Sequence, residues 1–187
     1  MSLSTTVKSI QDIMRKDVGV DGDAQRIGQL VWLFFLKIWD DREQEQEVVE
    51  PGFLSPLVNV RWQEGDEVRT AKDLRWRAWA SNPEGMTGDG LLEFANNTLF
   101  PALKGLEVGP RVEGDSPAAR QAEMLRRRRQ LIRGVFEDAY QYMKSGTLLR
   151  QVINKIEADI NFNDSRSRHL FGEIYESLLR DLQSAGN

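Results

Sequence analysis

The sequence has 187 residues, 40% hydrophobic and 29% charged, with a net charge of −4 and no cysteine. That is enough apolar material for one globular domain, or for two small lobes sharing a core. The missing cysteine excludes disulfides and thiolate metal sites, and the negative balance excludes a nonspecific polycation.

The N-terminus, MSLSTTVKSIQDIM, holds no apolar block of signal-peptide length, so a cytoplasmic protein is expected. Leu3, Val7, Ile10, Ile13 and Met14 recur at helical spacing, with Ser4 as an N-cap, and predict a first helix over 3–17. The stretch Ile27–Trp39, IGQLVWLFFLKIW, is apolar nearly all the way round a helix. Such a helix spans a membrane or sits at the centre of a core. A span needs roughly 20 apolar residues, and Gly28, Gln29 and Lys37 interrupt a run that is already too short. The central helix of a soluble protein is therefore expected, capped by Asp21 or Asp23. Beyond Trp39, Asp40, Asp41, Glu43, Glu45, Glu47 and Glu50 stand against Arg42 alone. They read as a solvated acidic helix end, since they cannot share the one face a carboxylate metal cluster requires.

From Pro51 to Gly90, prolines and glycines break the periodicity, with Leu57–Trp62 as a candidate short strand. The run Leu74-Arg75-Trp76-Arg77-Ala78-Trp79 has the residue types that stack on bases. It equally suits buried Trp bodies beneath Arg stems, and packing is the favoured reading. Asn82-Pro83-Glu84-Gly85 reads as a turn. Residues 90–104 predict a helix kinked or ended near Phe100 by Pro101. Gly105–Pro117 is loop-like.

Ser116-Pro117 is a helix start, followed by helical spacing over 118–143 that Gly134 could divide. Within it lie Arg126, Arg127, Arg128 and Arg129. Four consecutive residues spread through about 300° of helix, so they cannot form one basic face. A solvated helix is one reading. Phosphate contact by these four with Arg120 and Arg133 is the other. It suits the charge distribution, because residues 1–110 hold 12 Lys+Arg against 18 Asp+Glu and residues 111–187 hold 13 against 11. Further amphipathic helices are predicted over 147–160 and 165–183, with a turn at Asn161–Asp164 between them. The fold class expected is all-α: an irregular multi-helix bundle around one buried central helix, with a long loop-rich segment and at most a short β element. It forms a single domain over 1–187, divisible into lobes of about 1–106 and 115–187.

Catalytic chemistry has little to draw on. His169 is the one histidine, flanked by Arg168 and Leu170, and reads as structural or surface. No GxGxxG, no P-loop and no alternation of strand with helix is present. No catalytic, cofactor-binding or metal-binding residue is assigned.

Four blocks together carry a resemblance: IQDIMRKDVGVDGDAQRIGQLVWLFFLKIWD, GMTGDGLLEFANNTLFPALKGL, VFEDAYQYMKSGTLLRQVINKIEADINFND and RHLFGEIYESLLRDLQSAGN. In that order they resemble the N-terminal helical domain of modification subunits of type I restriction–modification systems. The resemblance covers the chain except roughly residues 51–80 and 107–120. It implies an adenine-N6 DNA methyltransferase that uses S-adenosylmethionine, with the helical region ahead of a Rossmann-like catalytic domain. That domain would carry a Phe-Tyr-Thr-Pro-Arg-like segment, a glycine-containing cofactor loop and an Asn-Pro-Pro-Phe motif, none of which occurs here. The resemblance thus implies an N-terminal fragment, inactive and without cofactor by itself. It would help enclose double-stranded DNA and contact the specificity subunit, a second modification subunit and the restriction subunit. The competing readings are a purely structural protein–protein interaction module and a free-standing helical regulator.

Overall fold

Ile27–Trp39 becomes the axis of the molecule. In the computed structural model, which describes residues 3–163 and residue 169, it lies inside α2 (Gly22–Val49), 28 residues long. Leu30, Trp32, Leu33, Phe34 and Leu36 are all buried and no residue from Ile27 to Trp39 is exposed, so α2 is covered on every side along this stretch. No helix among the described residues is long and apolar enough to cross a membrane.

The cover comes from both ends of the chain. α1 (Leu3–Met14) packs on α7 (Gly146–Asp159), and both lie in the core with α2. α1 begins at Leu3, so Ser4 lies inside the first turn and does not cap it, and it stops three residues short of the expected Asp17. Asp17 is committed elsewhere. Its buried carboxylate accepts from the Gly19, Lys144 and Ser145 amides at 2.7–3.1 Å. α2 starts beside Asp21, which makes no side-chain cap, and Asp23 pairs with Arg26 instead.

The end of α2 departs from expectation. It is helical to Val49, but Asp40, Asp41 and Glu43 are buried. Each has a partner distant in sequence or one turn away. Arg77 Nε lies 2.8 Å from Asp40, and Lys37 Nζ lies 2.9 Å from Asp41. Trp39 Nε1 and Ser55 Oγ donate to Glu43 at 2.7 and 2.8 Å. Burial pushes the Glu43 carboxyl above its ordinary range, and these hydrogen bonds oppose the shift.

The expected strand forms as β1 (Val58–Glu64), paired antiparallel with β2 (Glu67–Asp73). Gly65 at φ +62 opens the two-residue turn, as a type II′ hairpin needs. α3 (Trp76–Trp79) buries both tryptophans, while Arg75 and Arg77 reach Asp73, Glu47 and Asp40. The packing reading of that segment holds. Asn82–Gly85 is a turn closed by Gly85 N to Asn82 O, 2.9 Å. Arg150, buried on α7, donates to the Trp79, Ala80, Asn82 and Met86 carbonyls and holds this loop.

Pro101 neither ends the helix nor leaves it regular. α4 (Gly88–Phe94) runs through a π-helical turn at Ala95–Leu99 into α5 (Phe100–Lys104). Proline offers no amide to the preceding turn, and a π turn relocates that missing hydrogen bond. α6 (Pro117–Glu137) starts as expected, with Ser116 Oγ accepting from Ala119 N at 3.1 Å, and passes Gly134 unbroken. It stops at Glu137, so the predicted helix to 143 is too long. Residues 139–145 are non-helical because Gln29 and Asp17 take their backbone amides and Lys104 takes the last carbonyls of α6. The predicted helix over 165–183 and its cap lie outside the described residues. His169 is exposed.

Two glycines offer a test of packing. A Cβ on Gly146 would overlap the Gly88 carbonyl, backbone against backbone, whereas nothing lies within 4 Å of one on Gly134. Gly146→Ala should destabilise the fold by at least about 1–3 kcal/mol, and Gly134→Ala should stabilise it by about 0.5–1 kcal/mol. Urea unfolding of the two variants checks the signs, and a stabilised Gly146→Ala would refute the contact of α4 with α7.

Candidate nucleic-acid interface

α6 carries six arginines against two glutamates. At 100° per residue, Arg126, Arg129 and Arg133 share one face, Arg120 and Arg127 another, and Arg128 a third. Ile132 and Phe136 are the buried side of the helix. The arginines therefore meet different surroundings and do different work.

Arg126 is turned to its own helix, its Nε 2.7 Å and Nη2 3.1 Å from the Glu123 carboxylate. Arg127 Nε reaches the same carboxylate at 3.2 Å. Arg128 covers Phe53, its guanidinium carbon 5.0 Å from the ring centroid, which is the snorkelling arginine that four in a row require. Arg120, Arg129 and Arg133 have no carboxylate partner among the described residues. Arg120 and Arg133 are exposed and Arg129 is half-buried.

Arg129 and Arg133 face a groove. Its opposite wall is β1 and the loop after α5, joined by a bridge of Trp62 with Leu106 and by Glu107 N donating to Arg61 O at 3.0 Å. Asn59–Arg61, Leu106–Gly109 and Arg129 line a cleft of about 150 Å³. Arg133 continues the groove past Gln63 and Gly105 on one side and Gln130 on the other. Arg61 adds a further cation, in an exposed pair with Glu107 at 3.2 Å. A groove lined by guanidinium groups suits contact with a phosphate backbone.

Sequence reasoning missed Arg61, placed by β1, and Lys104. Lys104 Nζ donates to the carbonyls of Phe136, Glu137 and Ala139 at 2.7–3.2 Å and lies over the Tyr140 ring. It satisfies the C-terminal end of α6, so its charge is spent on fixing the helix. No spacing signal could have paired residues 32 or more apart.

The Glu123 carboxyl is held down at about 2 from its ordinary 4.5, first by Arg126 and then by the Val112 amide, which donates at 2.9 Å. A depressed carboxylate contributes its contacts above its unfolded pKa and loses them as pH falls through the folded value. Between pH 4.5 and about 2 the loop before α6 should therefore detach from Glu123. The Val112 amide resonance checks this, and a midpoint near 4.5 would refute the pairing.

Residues 3–156 match the family model described as the HsdM N-terminal domain. A curated relative, the type I restriction enzyme EcoEI methylase subunit of Escherichia coli, is 50% identical over 187 residues, 100% of this chain and 33% of its own length. Among solved structures, a modification subunit assigned to a type I restriction enzyme of Vibrio vulnificus YJ016 is similar over 98% of this chain and 35% of its own, at 33% identity and a TM-score of 0.69. A chain of a type I R-M system, solved for its complex assembly and conformational transition, is similar over 96% of this chain and 30% of its own, at 26% identity and a TM-score of 0.64. The chain thus spans about a third of the length of the curated relative it matches.

Proposed function

The chain belongs to the HsdM N-terminal domain family, and on that premise we propose that it is a DNA-enclosing, subunit-binding lobe of a type I modification subunit. Arg129 and Arg133 lie along one strand of the duplex and neutralise phosphates without reading bases. The observation that carries this reading is their shared groove face and their lack of carboxylate partners among the described residues. Arg120 adds a contact from a second face. Arg126, Arg127 and Arg128 shape α6, because their guanidinium groups are already engaged with Glu123 and Phe53.

The subunit carrying this lobe is a cytoplasmic adenine-N6 DNA methyltransferase that draws its methyl group from S-adenosylmethionine. Catalysis and cofactor binding belong to the part of such a subunit that this chain does not span, and the 187 residues alone are inactive. The specificity subunit, a second modification subunit and the restriction subunit are its protein partners. A purely structural interaction role is the second reading. It is supported by the exposed Leu131, which lines a cleft with Phe53 and Trp39, and by exposed Val48 and Val49 at the end of α2.

Salt separates the two. The chain should bind random-sequence duplex weakly, with affinity falling steeply as salt rises. Arg129→Ala with Arg133→Ala should lower the log–log salt slope by about two, while Arg126→Ala leaves the slope unchanged. Fluorescence anisotropy over a salt series reads both. Binding that ignores salt, or a double variant that binds like the parent, would leave only the structural role standing.

A further inference from the structure

We propose that the cleft between Asn59 and Arg129 seats a single phosphodiester and so sets the register of the duplex along the α6 groove; this rests on the DNA-backbone reading above. Asn59 is the one non-glycine with positive φ among the described residues, at φ 53, inside a strand whose pairing continues on either side of it. Side chains rarely adopt that conformation, and Asn does so more readily than most. Such outliers gather where a chain contacts a ligand. Here the strand, and no tight turn, carries the outlier.

Asn59 and Arg129 are the two residues that line both neighbouring clefts, so they form the ridge between them. The smaller cleft, of about 150 Å³, is backed by buried Val60 and Leu106. Its one carboxylate, Glu107, is paired with Arg61, and Glu47 in the larger cleft is paired with Arg75 and Arg77. Arg129 is left as the cation without a carboxylate partner among the described residues, and Asn59, which lines the same cleft, carries an amide able to donate. A guanidinium fork and an amide are the donors an anionic phosphate oxygen takes. No aromatic ring lines the smaller cleft, so nothing in it stacks on a base, and the ligand is backbone phosphate.

A double-mutant cycle on the 187-residue chain tests this, with labelled random-sequence duplex as the probe. Asn59→Gly keeps the backbone conformation and removes the amide. Asn59→Asp keeps the shape and places a carboxylate in the cleft. Asn59→Gly should weaken binding roughly threefold and Asn59→Asp roughly tenfold, and Arg129→Ala should lower the salt slope by about one. In the Arg129→Ala background Asn59→Gly should have no further effect, because both groups hold one phosphate. Additive losses, or parental binding by both Asn59 variants, would overturn the cleft and leave the DNA reading intact. A parent chain that does not bind duplex would overturn both.

Discussion

A helix apolar on every side still carries polar residues, and the way α2 satisfies them organises the molecule. Gln29 is fully buried and holds the Tyr142 amide at 2.7 Å and the Gln141 side chain at 2.9 Å. Asp41 takes the Phe162 amide at 3.0 Å, and Lys37 beside it reaches Glu157 of α7 at 3.3 Å. Asp40 fixes Arg77 of α3, and Glu43 fixes Ser55 ahead of β1. A buried neutral group left unpaired costs about 1–3 kcal/mol, and a broken buried ion pair about 3–5 kcal/mol. Gln29, Lys37, Asp40, Asp41 and Glu43 therefore tie α2 to several segments distant in sequence, and apolar burial supplies the net stabilisation.

The groove inherits its rigidity from that arrangement. Phe35 of α2 and Phe100 of α5 both meet Phe136 edge-on, at 5.9 and 5.4 Å, and Trp32 meets Phe100 at 4.9 Å. These rings seat the C-terminal half of α6. Its N-terminal half is held by Gln121 donating to the Gly52 carbonyl at 2.7 Å. With both halves fixed, the backbone that carries Arg129 and Arg133 keeps its place beside the groove. That is the preorganisation a weak electrostatic surface needs if it is to act at one place.

Much of this was legible in the residues. The apolar circle of Ile27–Trp39, the Ser116-Pro117 start, the clean stripe of α7 and the strand near Leu57 each declare themselves locally. The readings that failed depend on distant partners. Asp40, Asp41 and Glu43 look solvated until Arg77, the Phe162 amide and Ser55 are placed around them. Ala139, Tyr140 and Met143 keep helical spacing, yet the backbone there is drawn out by Gln29 and Asp17. β2, EVRTAKD, shows no apolar alternation because it is largely exposed. In the groove, the division of the arginines follows from helical geometry, but which of them meets Glu123, Phe53 or open solvent does not. Asn59 gave no signal at all, since its conformation is set by the fold.

The π turn ahead of Pro101 does more than excuse a missing amide. A wide turn adds a residue without adding a full step of rise, so the helix after it is rotated about its axis relative to the helix before it. α4 can then present Leu91 toward α7 while α5 presents Phe100 and Leu103 toward α6 and β1. One short segment thereby works as a phase shifter that couples two otherwise separate packing surfaces. The π turn thus shares with the Phe35 contact from α2 the placing of α6. Deleting one residue there would leave the composition of the core almost unchanged and turn α5 out of phase with its seats on α6 and β1.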